Sequence, residues 1–132
     1  MAGRDRAVAG GGQLVADVCA LAQRLGLETR EQVRVGRRLW GAERRIDVVL
    51  TQPDTRKRLG IECKFQAVSG SAEEKIPTTI QDIAAWPIAG IVVFHGGGFS
   101  PAMRSFLLAS GRAVEFEDLE GWLRLYFGLA LA

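Results

Sequence analysis

The sequence is short of several things at once. Two cysteines, Cys19 and Cys63, in 132 residues are too few and too far apart for a disulfide framework or a zinc site. A reducing, cytoplasmic setting is the expectation. The longest apolar stretch, Ile88 to Phe94, falls far below the roughly 20 residues that span a bilayer. No apolar run precedes a cleavage site near the N-terminus, so membrane and secreted classes are not expected. The only histidine is His95, inside His95-Gly96-Gly97-Gly98, a string known from the oxyanion loops of esterases. With no G-x-S-x-G elbow and no second histidine, a Ser-His-Asp triad has no base. Walker A and G-x-G-x-x-G patterns are also missing, which leaves the glycines as a tight connection from strand to helix.

What is present is one domain's worth of apolar residues, 48% against 24% charged. Residues 1–12, rich in Gly and Ala, are expected to be a flexible tail, with a single domain over 13–132. Leu14, Val18, Leu21, Ala22 and Leu25 recur at helical spacing up to Gly26. Three strand-like segments follow, at about 32–39, 45–51 and 58–66, separated by turns, and they suggest an antiparallel meander. A helix over about 73–86, a buried strand at 90–95, a helix from Pro101 to Ser110, a short strand at 112–116 and a last helix from Asp118 complete the order αβββαβαβα. This is an α/β arrangement of helices around one mixed sheet.

The formal net charge of +2 hides an asymmetry. From Arg30 to Lys64 ten basic residues face five acidic ones, a net +5, and the rest of the chain carries −3. Such a local excess suits a polyanion such as nucleic acid. Trp40, between Arg37 and Arg38 on one side and Arg44 and Arg45 on the other, makes a basic aromatic hairpin tip able to hold phosphates. The same composition suits a contact between two copies.

On the third strand, Leu59, Ile61, Cys63 and Phe65 alternate with Glu62, Lys64 and Gln66. On the second, Ile46, Val48 and Leu50 are expected on one face, with Asp47 on the other. Antiparallel pairing would then set Asp47 beside Glu62. Two carboxylates and a lysine together suit a hard divalent cation, Mg²⁺ or Mn²⁺, completed by water and substrate phosphate. Fourteen arginines and only three lysines make Lys64 a pointed choice, since lysine has a compact charge and a tunable pKa.

Ile46-Asp47, then Glu62-Cys63-Lys64 after a gap containing a turn, resembles the PD-(D/E)XK motif of the restriction-endonuclease-like nuclease superfamily. The αβββαβ order is similar to that family's core and covers about residues 13–117. The resemblance implies a restriction-endonuclease-like fold with a central mixed sheet flanked by helices. It further implies a metal-dependent DNA endonuclease in which Asp47 and Glu62 hold the metal and Lys64 is the catalytic lysine. The family's proline is Ile46 here. Gln66 extends the motif to E-x-K-x-Q, as in branches that place this glutamine at the site. Many members add an acid from the first helix, for which Asp17 is the candidate, with Gln13 and Glu43 as alternatives. Lys75, in a segment similar to one in small phage and bacterial members, is expected to contact DNA. A homodimer or a recruiting partner would supply specificity. The alternative is a DNA-binding or assembly protein that keeps the fold without catalysis.

Overall fold

A computed structural model describes residues 6–37, 43–66 and 76–131. Five strands form one sheet in sequential order: β1 (Glu28–Arg37), β2 (Glu43–Thr51), β3 (Arg58–Phe65), β4 (Gly90–His95) and β5 (Ala113–Glu115). The first three are antiparallel, and β4 and β5 join in parallel through helical crossovers. The short turn at Pro53 to Thr55 permits only an antiparallel return, whereas each parallel step needs a helix to carry the chain back.

Helices cover both faces. Leu14, Val18, Leu21 and Ala22 of α1 (Arg6–Arg24) and Leu119, Leu123 and Phe127 of α4 (Leu119–Phe127) pack on Val48, Leu50, Leu59, Ile61, Cys63, Ile91 and Val93. Across the sheet, Ile76 and Ile83 of α2 (Ile76–Ala84) and Leu107 of α3 (Pro101–Ala109) join Trp86, Phe99, Ile46, Val49, Val92 and Phe94. The mixed sheet flanked by four helices is the restriction-endonuclease-like architecture expected from the motif order. Among the described residues no helix is long and apolar enough to cross a membrane.

Three differences from the sequence reading have physical causes. The first helix begins at Arg6, so residues 6–12 belong to it rather than to a flexible tail. Each interior glycine costs a helix about 1 kcal/mol relative to alanine. The docked stripe beginning at Leu14 nonetheless anchors a helix that propagates back through Gly10, Gly11 and Gly12. The first strand starts at Glu28, ahead of its apolar alternation, because pairing with Leu50 and Thr51 orders polar residues that pattern alone leaves unassigned. The third difference, in the second strand, concerns the site.

Gly60 and Gly90 stand side by side on β3 and β4, under the Trp86 indole. A β-carbon at Gly60 would come within 2.8 Å of the ring, and one at Gly90 within 2.3 Å. The two glycines thus form a flat seat for Trp86, which lets the chain after α2 close onto the sheet.

Candidate active site

Period-two alternation puts Ile46, Val48 and Leu50 on one face, and the structure does not follow it. Val48 and Leu50 point toward α1 and α4, while Ile46 lies in the core beneath α2 and α3. The strand therefore changes face at Asp47. The neighbouring strand does the same at the facing position: Glu31 opposes Val48 and Val33 opposes Ile46, yet the ladder skips the Gln32 and Asp47 pair between them. Gln32 has φ 52°, in the left-handed region. A residue there breaks the regular pleat, so flanking side chains two apart stop sharing a face.

On the other side of Asp47 the backbone ladder with β3 stops at Val48 opposite Ile61. The next N–H that β3 turns toward β2, that of Cys63, donates to Asp47 Oδ2 at 2.9 Å. A side-chain carboxylate thus takes the place of a backbone carbonyl, and it ties Asp47 to the Glu62-Cys63-Lys64 segment. Oδ1 of Asp47 accepts from Gln32 Nε2 at 3.3 Å.

Glu62 and Lys64 lie on the face opposite Cys63, with Lys64 Nζ 3.8 Å from Glu62 Oε2. Burial pushes the Glu62 carboxyl up to about 7, and the negative charge of Asp47 pushes in the same direction, with a smaller contribution from Asp82. Lys64 and a backbone hydrogen bond at Asp47 pull it back. Glu62 Oε1 is buried without a hydrogen-bond partner. Burial also raises the thiol of Cys63, followed by the charges of Asp47 and Glu62, so this core cysteine stays neutral.

A divalent cation fits this donor set. A second negative charge next to a buried carboxylate with an unpaired oxygen is unfavourable until a cation is shared between them. Among the described residues no group of three or more His, Cys, Asp or Glu side chains could hold a metal ion. Two carboxylates are what Mg²⁺ commonly takes from a protein, with waters and substrate phosphates filling the remaining positions.

The other expected residues make contacts of their own. Asp17 accepts a 2.8 Å bond from Gln13 on its own helix, and the acid that acts on Glu62 besides Asp47 is Asp82 of α2. Nothing in the motif pointed to Asp82, and only the crossover packing brings it in. Arg44 pairs with Asp82 at 3.7 Å, and Arg45 pairs with Glu43 at 2.7 Å. Gln66 is buried: its Nε2 donates to Gly98 O at 2.9 Å, and its own carbonyl accepts from Gly98 N–H at 2.8 Å. It clamps the end of β3 to the glycine loop. Gly96 adopts φ 114° there, with the Gln66 carbonyl 2.2 Å from where a β-carbon would stand. His95 Nδ1 lies 2.9 Å from Glu117 Oε2, and the ring packs between Phe65 and Phe116. Arg38, Trp40 and Lys75 lie outside the described residues, as does the side chain of Arg37.

A five-stranded mixed sheet under helices on both faces, with an aspartate, a glutamate and a lysine gathered where β2 parts from β3, defines a nuclease-type α/β domain. The family model of the PD-(D/E)XK nuclease superfamily domain matches residues 10–121, and the chain belongs to that superfamily. A crystal structure of a protein of unknown function, AF1548, is similar in fold, with a TM-score of 0.55 and 23% identity. The match covers 78% of this chain and 56% of the other, so the chain spans little more than half the length of that neighbour. No curated protein matches the chain.

Proposed function

We propose that the protein is a Mg²⁺- or Mn²⁺-dependent DNA endonuclease, with Asp47 and Glu62 holding the ion and Lys64 as the catalytic lysine. The observation that carries this reading is the Asp47 carboxylate set into the gap between β2 and β3, its charge acting on the buried Glu62 carboxyl, whose Oε1 has no hydrogen-bond partner. When bound, the ion supplies acidification of water and charge stabilisation at the phosphoryl oxygens. Asp47 is held from two sides, by Cys63 N–H and Gln32, so its oxygens keep a fixed direction without reorganising. Lys64 carries its ammonium next to Glu62, where it offsets negative charge in the free protein and orients the attacking water once phosphate is present. Gln66 serves by fixing the loop at Gly96 to Gly98, next to the end of β3. Arg37, Arg38, Arg44, Arg45 and Lys75 are the proposed contacts to DNA phosphates, and a second copy or a recruiting protein is the proposed source of specificity.

Nicking of supercoiled plasmid with Mg²⁺ or Mn²⁺ tests the reading. Wild type is expected to relax and linearise the plasmid, whereas Asp47→Ala and Lys64→Ala should lose at least about 100-fold in rate, the range for removal of one electrostatic or acid–base group. Equal cutting by the variants, or failure of wild type on single-stranded, duplex and branched DNA alike, refutes it. Binding of DNA without cutting would instead identify a non-catalytic member.

A further inference from the structure

We infer that Gln32, on the strand next to the motif, is a positioning residue that aims the Asp47 carboxylate at the ion. The inference rests on the metal-dependent reading above, but it concerns a residue outside the motif and outside every segment the motif uses.

Three features meet at Gln32. Its backbone is in the left-handed region at φ 52°, one of only two such non-glycine residues among the described residues. The other, Arg56, is in a turn, where this conformation is ordinary, whereas Gln32 is inside a strand. Second, the ladder between β1 and β2 is missing only the Gln32 and Asp47 pair within the run from Glu28 to Arg34, and both strands change face there. Third, the Gln32 amide donates to Asp47 Oδ1 at 3.3 Å while Cys63 N–H occupies Oδ2.

Backbone strain inside a strand persists where the surroundings impose it, and it concentrates at functional positions. A glycine or an asparagine would accept φ 52° with less strain than glutamine. A glycine has no amide, and an asparagine amide stops one methylene short of the Asp47 oxygen. Glutamine bears the strain of the kink and has the length to reach the carboxylate. The left-handed kink turns Asp47 out of the pleat, and the amide then fixes its rotation, leaving the remaining lone pairs for an ion. The role matches the outer hydrogen bonds that hold liganding carboxylates elsewhere.

The test separates backbone from amide. Gln32→Gly keeps the left-handed conformation and removes the amide; Gln32→Asn keeps an amide but shortens its reach. Both should melt at or above the wild-type temperature. Both should bind Mn²⁺, followed by calorimetry on the full chain without DNA, about tenfold more weakly, at the low end of what loss of such outer hydrogen bonds costs in metal affinity. In plasmid nicking the Mg²⁺ requirement should rise by a similar factor while kcat at saturating Mg²⁺ stays within about threefold, because Asp47 and Lys64 are intact. A folded Gln32→Gly that binds Mn²⁺ as wild type does overturns the inference and leaves the metal reading standing. A folded wild type that binds no Mn²⁺ overturns both.

Discussion

Glu62 carries the largest conflict between charge and surroundings in the site, and its consequence can be followed with pH. Its carboxyl is raised from the ordinary 4.5 to about 7 in the folded, metal-free chain, chiefly by burial and then by Asp47. A raised folded value means that the native state holds the proton more tightly than the unfolded chain does. The stabilisation is complete below pH 4.5 and is lost as pH rises through 7. The metal-free protein should therefore lose about 2 to 3 kcal/mol between pH 4.5 and pH 8 from this group. Glu62→Gln should remove most of that loss, melting higher than wild type at pH 8 and close to it at pH 5, while abolishing cleavage. Urea titrations at the two pH values measure the effect, and parallel stability curves for wild type and variant would refute it. Adding Mn²⁺ should stabilise wild type at pH 8 and leave Glu62→Gln nearly unmoved, since an ion that binds only the native state raises its stability. That Asp47, Glu62 and Lys64 come together was legible in the sequence, because antiparallel pairing of the two strands follows from the spacing and the turn between them. The orientation of Asp47 was not, since a change of face between Ile46 and Val48 comes from a left-handed residue on another strand, which hydrophobic alternation does not encode.

The strands and helices were legible where a single period governs them. The β4 run of Gly90 to His95 and the Ser100-Pro101 start of α3 match the sequence reading, and Ser100 Oγ accepts from Met103 N–H at 3.1 Å as a cap should. The seat of Trp86 was not legible, because it depends on the register that sets Gly60 against Gly90 across two elements. That register makes a prediction. Gly90→Ala would drive a β-carbon to 2.3 Å from the indole, and the backbone of β4 cannot retreat without breaking its parallel pairing with β3 and β5. A loss of about 2 kcal/mol is expected, in the range for overpacking a core. Trp86→Leu should cost a similar amount through the space it empties. Combined in one chain, the two changes should destabilise by less than their sum, because leucine vacates the volume the alanine methyl needs. Chemical denaturation of the two single variants and the double variant provides the measurement, and strict additivity would show that the indole and the glycine seat do not act as one unit.

Across the molecule, the sequence excess of +5 between Arg30 and Lys64 divides between the two ends of the sheet. Arg56, Lys57 and Arg58 belong to the β2–β3 turn and the start of β3, and Lys57 is committed to α4, with Nζ 2.6 Å from the Tyr126 carbonyl and 4.1 Å from its ring centre. Lys64, six residues along β3, lies about 20 Å from Arg58 at the rise of a strand. Among the described residues of that segment, Arg34, Arg44 and Arg45 of the β1–β2 pair share the candidate site's end. Part of their field is already answered: Arg34 and Arg45 both reach Glu43, which they hold below the ordinary carboxylate range, with Arg45 contributing more. On the proposed function, Glu43 would compete with a DNA phosphate for the same two guanidinium groups. This sets an order of effects on DNA affinity in Ca²⁺, where the proposed chemistry should not run. Arg45→Ala should weaken binding and flatten its dependence on salt by close to one counterion, since each phosphate contact contributes a slope of about −0.9. Glu43→Gln should tighten binding by freeing both arginines, with a steeper salt dependence. The double change of Arg56 and Arg58 to alanine should leave affinity within about twofold at 0.15 M salt, because charges beyond a Debye length of about 8 Å are largely screened. Fluorescence anisotropy of a labelled duplex over a range of salt concentrations reads all three variants. If the turn arginines proved as important as Arg45, DNA would have to lie along the full length of β3 instead of across the hairpin end.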